Sequence, residues 1–441
     1  MNAQVWQWAA EVVAAWLLQR RSPRDAMAAM PVLRTGDPGE RAAVARASGA
    51  ALAAMRRLEF VLAGPAGLGH WRARERALAL VLGSAIERDE LLADAATRQF
   101  EGLDGGAPPE FARLLRTDAL LAASEGGQDR RFARRHSVPD WFAPLALAQY
   151  GDEADAVVAA LATPAPRTLR ANLLRVPSRE ALAVELQQEG VASDRARFAS
   201  TALHVQGDGD LFATAAYRRG AFEQQDEASQ LVAAVTAPPK GGKVLDLCAG
   251  SGGKSLALAA LLQNRGLVLA TDVHRGRLEA LRERMARAGA DNVQIAALHE
   301  HELPPPVAAF AGHADRILVD APCSGTGSWR RRPEARWSLD SDGLASLCAT
   351  QDRLLDRAAA LLRPGARLIY ATCSLLAVEN ERRVEALRAR APELECVRIA
   401  EILGSAIAAP IADATGTFLS LRPDRHGCDG FFAAVLRRRR Q

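Results

Sequence analysis

The spacing of apolar side chains divides the chain into three parts, and the first part is helical. Residues 1–135 repeat apolar positions at intervals of three and four, as at Val12 and Trp16, which is typical of amphipathic helices. Glycine and proline residues at 64–65 and 105–109 interrupt this pattern and predict loops. No pair of side chains suited to catalysis occurs here. The pattern therefore predicts a helical bundle that serves docking or packing.

Residues 136–235 form a second part with a mixed pattern. Prolines at 139, 164 and 166 begin or interrupt short elements. Between residues 167 and 174, the polar Arg170 and Asn172 alternate with leucines, which is the period-two pattern of a strand with one buried face. This part therefore predicts a small α/β domain between two larger ones.

The third part, residues 236–441, alternates strands with helices, the pattern of a parallel sheet covered by helices. Short apolar runs predict strands at 244–248, 267–272, 293–298, 317–320 and 367–373. Helical stretches lie between them at 254–263, 275–288, 347–362 and 378–390. Two further runs, 418–421 and 431–436, predict an antiparallel pair of strands.

Composition and charge exclude several classes of protein. The 441 residues are 49% apolar with a mean hydropathy of −0.07, which excludes global disorder. The net charge of +4 does not by itself indicate nucleic-acid binding, but nearly all basic residues are arginines, whose planar guanidinium groups suit phosphate. Six cysteines without a C-x-x-C spacing exclude a zinc ribbon or a disulfide framework. With no secretory signal and no run of about 18 apolar residues, we expect a reducing cytoplasm, in which cysteines stay thiols.

A glycine-rich turn follows the first strand of the third part. Residues 246–254 read Asp-Leu-Cys-Ala-Gly-Ser-Gly-Gly-Lys, so a strand, a turn and a helix start follow one another. A phosphate-binding P-loop needs a glycine where Cys248 stands, and a dinucleotide-binding turn needs one where Ser255 stands. The remaining pattern, D-x-x-x-G-x-G from Asp246 to Gly252, resembles the S-adenosylmethionine loop of class I methyltransferases. The alternative is a tight turn in which the glycines serve only the backbone.

Four acidic and thiol side chains follow the strands nearest to this turn. Asp272 ends the second predicted strand, where a carboxylate can accept both hydroxyl groups of a ribose. Asp320 and Cys323 follow the fourth strand, and Cys373 ends the fifth. Because ligands bind beyond the carboxyl ends of parallel strands, all four are expected at one edge. A single cysteine at a strand end is usually a small buried apolar residue, but two beside an aspartate indicate chemistry.

This set of groups suits methylation at C5 of a pyrimidine. C5 of cytosine is too weak a nucleophile to attack a methyl sulfonium, but a thiolate that adds to C6 turns C5 into a carbanion-like centre. An acid at N3 stabilises the charge that develops in the ring. A base then removes the C5 proton, and the thiolate leaves. Because an ordinary thiol has a pKa of about 8.5, the nucleophile needs a setting that favours its ionised form.

Three motifs resemble those of the RNA 5-methylcytosine methyltransferases. They are Asp320-Ala-Pro-Cys323-Ser-Gly-Thr-Gly, Thr372-Cys373-Ser and, upstream, Gln225-Asp-Glu-Ala-Ser-Gln230. His136-Ser-Val-Pro-Asp-Trp141 and Thr168-Leu-Arg-Ala-Asn172 extend the resemblance to the bacterial 16S ribosomal RNA branch of that family. That branch has a helical N-terminal domain similar to the antitermination factor NusB, which fits residues 1–135.

The resemblance implies a fold, a cofactor and a substrate. Residues 236–441 would form a class I (Rossmann-like) α/β methyltransferase domain, preceded by an all-α NusB-like RNA-binding domain at 1–135 and a small α/β linking domain at 136–235 that contacts RNA. The cofactor would be S-adenosylmethionine, the substrate small-subunit ribosomal RNA, and no metal would be needed. We expect a cytoplasmic monomer that does not associate with a membrane. The rival interpretation is a non-catalytic RNA-binding assembly factor, which would not require the aspartate and the two thiols.

The resemblance also implies a role for each site residue. Cys373 would be the nucleophile, Cys323 would assist release of the methylated base, and Asp320 would contact the cytosine and border the cofactor. The other cofactor-lining residues would be Cys248, Ala249, Gly250, Ser251, Gly252, Gly253, Lys254 and Asp272. DNA 5-methylcytosine enzymes instead use the cysteine of their Pro-Cys motif, so the opposite assignment of the two cysteines stays open.

Three segments around the site depart from the usual family pattern or lie outside the matched motifs. Gly250-Ser251 stand where the family usually has Ala-Pro, a change that is compatible with a turn. The family usually has an aspartate after the third strand, where this chain offers His299 and Glu300 as candidates for the adenine side. Beyond the Cys323 loop, a group of arginines with Trp337 beneath them is expected to hold RNA phosphates, and a solvated connection is the alternative. These arginines are Arg330, Arg331, Arg332 and Arg336.

Overall fold

The computed structural model describes residues 3–35, 37–63, 68–104, 108–298 and 303–440. Its backbone contacts divide the chain into two compact units. The first unit is Met1–Pro164 together with Trp329–Ser341, and the second is Ala165–Ser328 together with Asp342–Gln441. Within the described ranges, no helix is both long enough and apolar enough to cross a membrane.

Helices build the first unit, as the apolar spacing predicts. They are α1 (Ala3–Gln19), α2 (Pro23–Ala29), α3 (Pro31–Thr35), α4 (Pro38–Ala63), α5 (Ala73–Glu87), α6 (Ala93–Asp104), α7 (Thr117–Ala122), α8 (Gln128–His136), α9 (Phe142–Tyr150) and α10 (Ala154–Ala160). Their apolar faces enclose Trp6, Trp16, Phe100 and Phe111.

The helical unit is longer than the bundle that we expected at residues 1–135. Helices continue to Ala160, and Pro139 lies in the turn between α8 and α9. The division of the chain into three domains stays a prediction.

A segment of the third sequence part packs inside this helical unit. The chain between Trp329 and Ser341 belongs to the unit by its contacts. The Trp329 side chain is buried, and its ring centroid lies 4.7 Å from that of Phe142. The indole N–H of Trp337 donates a hydrogen bond of 2.7 Å to the carbonyl oxygen of Leu52. The helical unit is therefore built from two separate stretches of the sequence.

The second unit begins with a small antiparallel sheet. Its strands are β1 (Arg167–Ala171), β2 (Ser193–Arg195), β3 (Ala202–Val205) and β4 (Phe222–Gln224), in the order β2-β3-β1-β4. The helices α11 (Arg179–Gln188) and α12 (Ala215–Arg218) lie between these strands in the chain, and α13 (Glu227–Thr236) leads to the next sheet.

The strand β1 was predicted, but its burial pattern was predicted wrongly. Arg170 and Asn172 are only 3% and 2% exposed, whereas Leu173 is 43% exposed. Both polar side chains are buried because each finds backbone carbonyl partners. The Asn172 amide, for example, donates to the carbonyl oxygens of Gly220 and Ala288.

A larger, mainly parallel sheet carries the rest of the second unit. Its strands are β5 (Lys243–Asp246), β6 (Leu267–Asp272), β7 (Val293–Ala297), β8 (Ala314–Asp320), β9 (Leu362–Thr372), β10 (Leu394–Cys396), β11 (Leu419–Leu421) and β12 (Phe431–Arg438). The order is β10-β12-β9-β8-β5-β6-β7, with β11 paired to β12. Neighbours from β7 to β9 are parallel, and β12 is antiparallel to β9, β10 and β11.

Helices cover this sheet on both faces. They are α14 (Gly253–Leu261), α15 (Arg275–Ala288), α16 (Pro305–Ala308), α17 (Ser341–Leu361), α18 (Glu381–Arg390), α19 (Ala400–Leu403), α20 (Ser405–Ala408) and α21 (Pro423–His426). Successive strand residues such as Val244 and Leu245 enter different cores, because side chains of a strand alternate between its faces. The predicted α/β class I fold is confirmed, and so is the antiparallel pair at 418–421 and 431–436.

Candidate active site

The predicted site residues meet at the carboxyl ends of adjacent parallel strands. The glycine-rich turn follows β5, and Asp272 is the last residue of β6. Asp320 ends β8 and leads to Cys323, while Cys373 follows β9. Because β6, β5, β8 and β9 are neighbours in this order, their loops share the ligand-binding edge of the sheet.

Two glycines determine the shape of the turn. Gly250 and Gly252 have φ angles of +56° and +82°, in the left-handed region that favours glycine. A Cβ atom on Gly252 would lie 2.0 Å from Leu281 Cδ1, so a larger residue there would have to displace this buried side chain. Asp272 holds the turn from the neighbouring strand, since its Oδ2 accepts the Gly250 N–H at 2.9 Å.

The groups around the turn fit S-adenosylmethionine. A Cβ atom on Gly250 would meet nothing within 4 Å, so the backbone borders open space there. The two oxygens of Asp272 accept the N–H groups of Gly250 and His274, and each keeps a lone pair for a ribose hydroxyl. The helix α14 begins at Gly253, and its amino-terminal N–H groups favour a carboxylate. Residues 248–254 and Asp272 would therefore hold the cofactor.

A buried carboxyl group lies beneath the turn. Asp246 is 0% exposed, and its Oδ2 accepts the hydroxyl of Ser255 at 2.7 Å. Burial raises the pKa of Asp246 to about 7, the Ser255 hydrogen bond opposes this rise, and the charge of Asp320 adds to it. Around neutral pH this carboxyl group is therefore partly protonated, which limits the negative charge beneath the turn.

Asp320 is paired with a lysine of the turn. The Lys254 Nζ atom donates to Asp320 Oδ2 at 2.6 Å. Lys254 is 7% exposed and its Nζ lies 5.0 Å from the centroid of the Phe431 ring, whereas the Asp320 side chain is 29% exposed. The carboxylate can therefore reach a ligand while the ammonium group supports it from the protein side.

The two cysteines are in direct contact. The Cys323 and Cys373 Sγ atoms are 3.4 Å apart, well beyond the disulfide bond length of about 2.05 Å. Their loops are also joined through the backbone, since the Gly327 N–H donates to the Cys373 carbonyl oxygen at 3.0 Å. A Cβ atom on Gly327 would lie 2.2 Å from the Gly430 carbonyl oxygen, so this close approach requires glycine.

The surroundings of Cys323 favour its protonated form. Its hydrogen bond with Cys373 and its burial raise the pKa of the Cys323 thiol well above the usual value, and the charges of Cys373 and Glu379 add to this rise. Either sulfur atom could be the donor in the contact between Cys323 and Cys373. Burial also raises the pKa of the Cys248 thiol in the turn, with the charges of Asp246, Asp320 and Asp272 adding to the rise.

Two polar residues behind the cysteines were not singled out from the sequence. Glu379 and Asn380 fall within the helix predicted at 378–390, but α18 begins only at Glu381. Glu379 accepts hydrogen bonds from Ser324 and Ser374, and the Asn380 amide donates to the Ser374 carbonyl oxygen at 2.9 Å. The signal that could have found them is a pair of adjacent polar residues shortly after a cysteine at a strand end.

Arg170 of β1 is a further residue that the sequence did not connect with the site. Its Nη1 donates to the Gly253 carbonyl oxygen at 2.7 Å and to Gln225 Oε1 at 2.9 Å. Burial lowers the pKa of Arg170 to about 10, so the guanidinium group remains charged at neutral pH. The small sheet is thus hydrogen-bonded to the first residue of α14.

The expected phosphate-binding arginines divide into two groups. For Arg336 the prediction is wrong: its side chain is 1% exposed and donates to the carbonyl oxygens of Ala53, Ser137 and Leu161 inside the helical unit. Trp337 packs against the same helical core and not beneath exposed arginines. Arg330 is half-buried, and two arginines of the group, Arg331 and Arg332, are exposed.

Two other predictions concern the adenine side of the cofactor and the binding of a metal ion. His299 and Glu300, the candidates for the adenine side, lie outside the described residues. Among the residues that the structure describes, no cluster of three or more histidine, cysteine, aspartate or glutamate side chains is arranged to hold a metal ion.

Comparison with known proteins identifies relatives for two regions of the chain. Residues 233–437 match the family described as 16S rRNA methyltransferase RsmB/F, and residues 138–211 match the RsmF/B-like ferredoxin-like domain. A probable ribosomal RNA small subunit methyltransferase B of Bacillus subtilis (strain 168) is 30% identical over 318 residues, which are 70% of this chain and 68% of the relative.

Solved structures support the fold. The crystal structure of PH0851 has a TM-score of 0.78 at 22% identity and covers 99% of both chains. A methyltransferase homologue from Pyrococcus horikoshii has a TM-score of 0.59 at 26% identity and covers 71% of this chain and 100% of the other. With the glycine-rich turn and the paired cysteines at one sheet edge, these matches show that the chain belongs to the RsmB/F family of S-adenosylmethionine-dependent 16S ribosomal RNA methyltransferases.

Proposed function

We propose that this protein transfers a methyl group from S-adenosylmethionine to C5 of a specific cytosine in 16S ribosomal RNA, through a covalent bond between Cys373 and C6. The contact of 3.4 Å between the Cys323 and Cys373 sulfur atoms carries the proposal. An RNA-binding assembly factor would need neither thiol. Methylation at another type of atom would not need a nucleophile on the enzyme.

The proposed reaction has three steps. The Cys373 thiolate forms a bond to C6 of the cytosine, and the electron pair of the C5–C6 double bond moves to C5. S-adenosylmethionine, which residues 248–254 and Asp272 would hold, would supply the methyl group that C5 takes up and would leave as S-adenosylhomocysteine. Finally the C5 proton passes to a base, the S–C6 bond breaks, the double bond re-forms, and Cys373 leaves as a thiolate.

Asp320 and Lys254 are suited to stabilise the cytosine ring in the first step. The carboxylate of Asp320 can accept a hydrogen bond from the exocyclic amino group of the base. The ammonium group of Lys254, 2.6 Å from Asp320, places a positive charge behind the ring in which negative charge develops. The pair would therefore both orient the base and lower the barrier to attack.

The raised pKa of the Cys323 thiol, together with its contact to the Cys373 sulfur atom, supports the assignment of Cys373 as the nucleophile. A thiol that donates its S–H to the Cys373 sulfur stabilises the thiolate there before attack. The same hydrogen bond stabilises Cys373 as it leaves C6, so Cys323 would assist release of the product. Loss of Cys323 should then affect the last step more than the first.

The other parts of the chain would bind the RNA. The relative from Bacillus subtilis is named for small subunit ribosomal RNA, and the matched ferredoxin-like region at 138–211 covers most of the second sequence part. We propose that residues 1–135 act as a NusB-like RNA-binding domain and that residues 136–235 contact RNA beside the site. The exposed Arg331 and Arg332 would hold phosphates.

Bisulfite sequencing of ribosomal RNA tests the proposed function. Deletion of the gene should remove methylation from one cytosine of 16S ribosomal RNA, and the gene restored on a plasmid should bring it back. A plasmid copy that carries Cys373→Ala should not restore the methylation. If no cytosine of ribosomal RNA changes between the strains, the proposed reaction is wrong.

A further inference from the structure

A buried carboxyl group lies behind the two cysteines and has no part in the proposed chemistry. Glu379 is 0% exposed. Its Oε1 accepts the Ser324 N–H at 2.8 Å and the Gln351 side-chain amide at 3.1 Å. Its Oε2 accepts the hydroxyl groups of Ser324 and Ser374, each at 2.5 Å. Both oxygens act as acceptors, which is the arrangement of an ionised carboxylate.

Such a group is costly to bury without donors. A buried carboxylate destabilises a fold unless hydrogen bonds replace those that it made with water. At Glu379 these donors come from three separate places: the residue after Cys323, the residue after Cys373, and α17 through Gln351. The same carboxylate therefore holds both cysteine loops and the helix beside them.

Further hydrogen bonds contact the residues on either side of each cysteine. The Gln351 amide also donates to the Pro322 carbonyl oxygen at 3.0 Å, on the other side of Cys323. Asn380 accepts the Thr372 hydroxyl at 2.5 Å and donates to the Ser374 carbonyl oxygen at 2.9 Å, so it contacts both neighbours of Cys373. The backbone on either side of each sulfur atom is thereby fixed.

We propose that Glu379 is a positioning residue that fixes the two cysteine loops relative to each other, so that the Cys323 and Cys373 sulfur atoms stay in contact. This inference rests on the proposed function, in which both thiols act on the same base. Glu379 does not touch the reacting atoms itself. It acts through Ser324 and Ser374, which follow the two cysteines in the sequence.

The charge of Glu379 adds an electrostatic effect to this geometry. It contributes to the raised pKa of the Cys323 thiol, after the hydrogen bond with Cys373 and burial. The other titratable groups nearby are Tyr370 on β9, Cys348 on α17 and Arg383 on α18. Burial raises the pKa of Tyr370 and of Cys348, so both are neutral at pH 7.

Glu379→Gln separates the charge from the shape of the side chain, and Glu379→Ala removes both. Glu385→Gln on α18 is the matched control, because it removes the same charge from an exposed position. Methyl transfer to 16S ribosomal RNA, cofactor affinity by calorimetry and thermal unfolding are measured for each full-length variant. The rate of iodoacetamide alkylation at Cys323 and at Cys373 is followed against pH by peptide mass spectrometry.

We expect methyl transfer by Glu379→Ala to fall by about 100-fold, as for a misplacement near 1 Å, while the cofactor dissociation constant changes less than about twofold. In Glu379→Gln, the midpoint of Cys323 alkylation should move to lower pH. A pKa lower by one unit would raise the alkylation rate about tenfold at a pH below both midpoints. Glu385→Gln should match the wild type in every measurement.

Three results would overturn the inference. One is methyl transfer within about twofold of the wild type in Glu379→Ala. Another is a loss of cofactor affinity that parallels the loss of transfer, which would indicate general damage to the fold. The third is an alkylation midpoint for Cys323 that stays the same in Glu379→Gln. If the wild type itself methylates no cytosine, the proposed function fails, and the alkylation measurement still tests Glu379 by itself.

Discussion

The proposed roles of the two cysteines rest on the contact between their sulfur atoms and on the surroundings of Cys323. Cys323 has a raised pKa from its hydrogen bond to Cys373, from burial and from nearby negative charge. A group that keeps its proton is a hydrogen-bond donor and a poor nucleophile, since only the thiolate attacks. In the proposed mechanism the pair acts as one unit, in which the Cys323 S–H hydrogen-bonds the sulfur of Cys373. Single substitutions should reveal this division.

Substituting each cysteine should give opposite results on a denaturing gel. Cys373→Ala cannot form the bond to C6, so it should lose essentially all turnover and show no protein–RNA adduct. Cys323→Ala should still attack and methylate, but the departing thiolate would lack its donor, so the adduct should accumulate. The measurement is a gel run after incubation with S-adenosylmethionine and 16S ribosomal RNA, with and without ribonuclease.

Cys396→Ala is the control for this experiment, because Cys396 lies on β10 away from the catalytic edge. It should turn over at the wild-type rate and leave no stable adduct. The reverse pattern, with a shifted band for Cys373→Ala and none for Cys323→Ala, would make Cys323 the nucleophile, as in the DNA enzymes.

Among the elements of the small antiparallel sheet, β1 is hydrogen-bonded to the cofactor turn. It belongs to the small antiparallel sheet, yet its Arg170 side chain reaches the carbonyl oxygen of Gly253 at the start of α14. The Oε1 atom of Gln225, which follows β4, accepts a hydrogen bond from the same Nη1 atom. The turn is therefore also hydrogen-bonded to an element outside the parallel sheet that carries it.

The substitution Arg170→Met should weaken cofactor binding. The apolar stem of the side chain keeps its packing, while the charged hydrogen bond to Gly253 is removed. A hydrogen bond from a charged group contributes about 1.5–3 kcal/mol, so the dissociation constant for S-adenosylmethionine should rise by about tenfold or more. Isothermal titration calorimetry without RNA measures this effect directly.

The control is Arg167→Met on the same strand. Arg167 donates to the carbonyl oxygens of Gly207 and Gly209, away from the turn. Its replacement should leave cofactor affinity unchanged. Equal affinity for the two variants and the wild type would show that the hydrogen bond between Arg170 and Gly253 does not position the turn.

The elements and the site differ in how well the sequence predicts them. The strand 267–272 and the helix 275–288 were predicted at their observed bounds, because apolar periodicity reports burial along one element. The cofactor turn and the two thiols were placed together because parallel strands end at one edge. Arg170 and Arg336 were misjudged, since a buried arginine depends on carbonyl groups from distant residues, and local periodicity contains no information about those partners.

At the scale of the whole molecule, the chain crosses from one compact unit to the other and back between β8 and α17. Trp329, Arg336 and Trp337 are held inside the helical unit by packing and by hydrogen bonds to backbone carbonyl groups. Deleting residues 1–135 would remove partners of Arg336 and Trp337, such as Ala53 and Leu52. Weaker RNA binding by that truncated protein would therefore combine the absence of RNA-binding groups with damage to the fold.

Substituting exposed arginines tests RNA binding without this complication. Arg331 and Arg332 are exposed within the segment that the helical unit holds. Replacing both with serine should weaken RNA binding and reduce its dependence on salt. The slope of log K against log salt concentration should become less steep by about 0.7 for each single-strand phosphate that is no longer neutralised. Binding to a 16S ribosomal RNA fragment is measured at several salt concentrations, and thermal unfolding should not change. Replacing Arg265 and Arg388, exposed arginines of the second unit for which no RNA contact is proposed, is the control for net charge. If both double variants lower the slope equally, the effect of Arg331 and Arg332 is one of overall charge, and they hold no phosphate of the substrate.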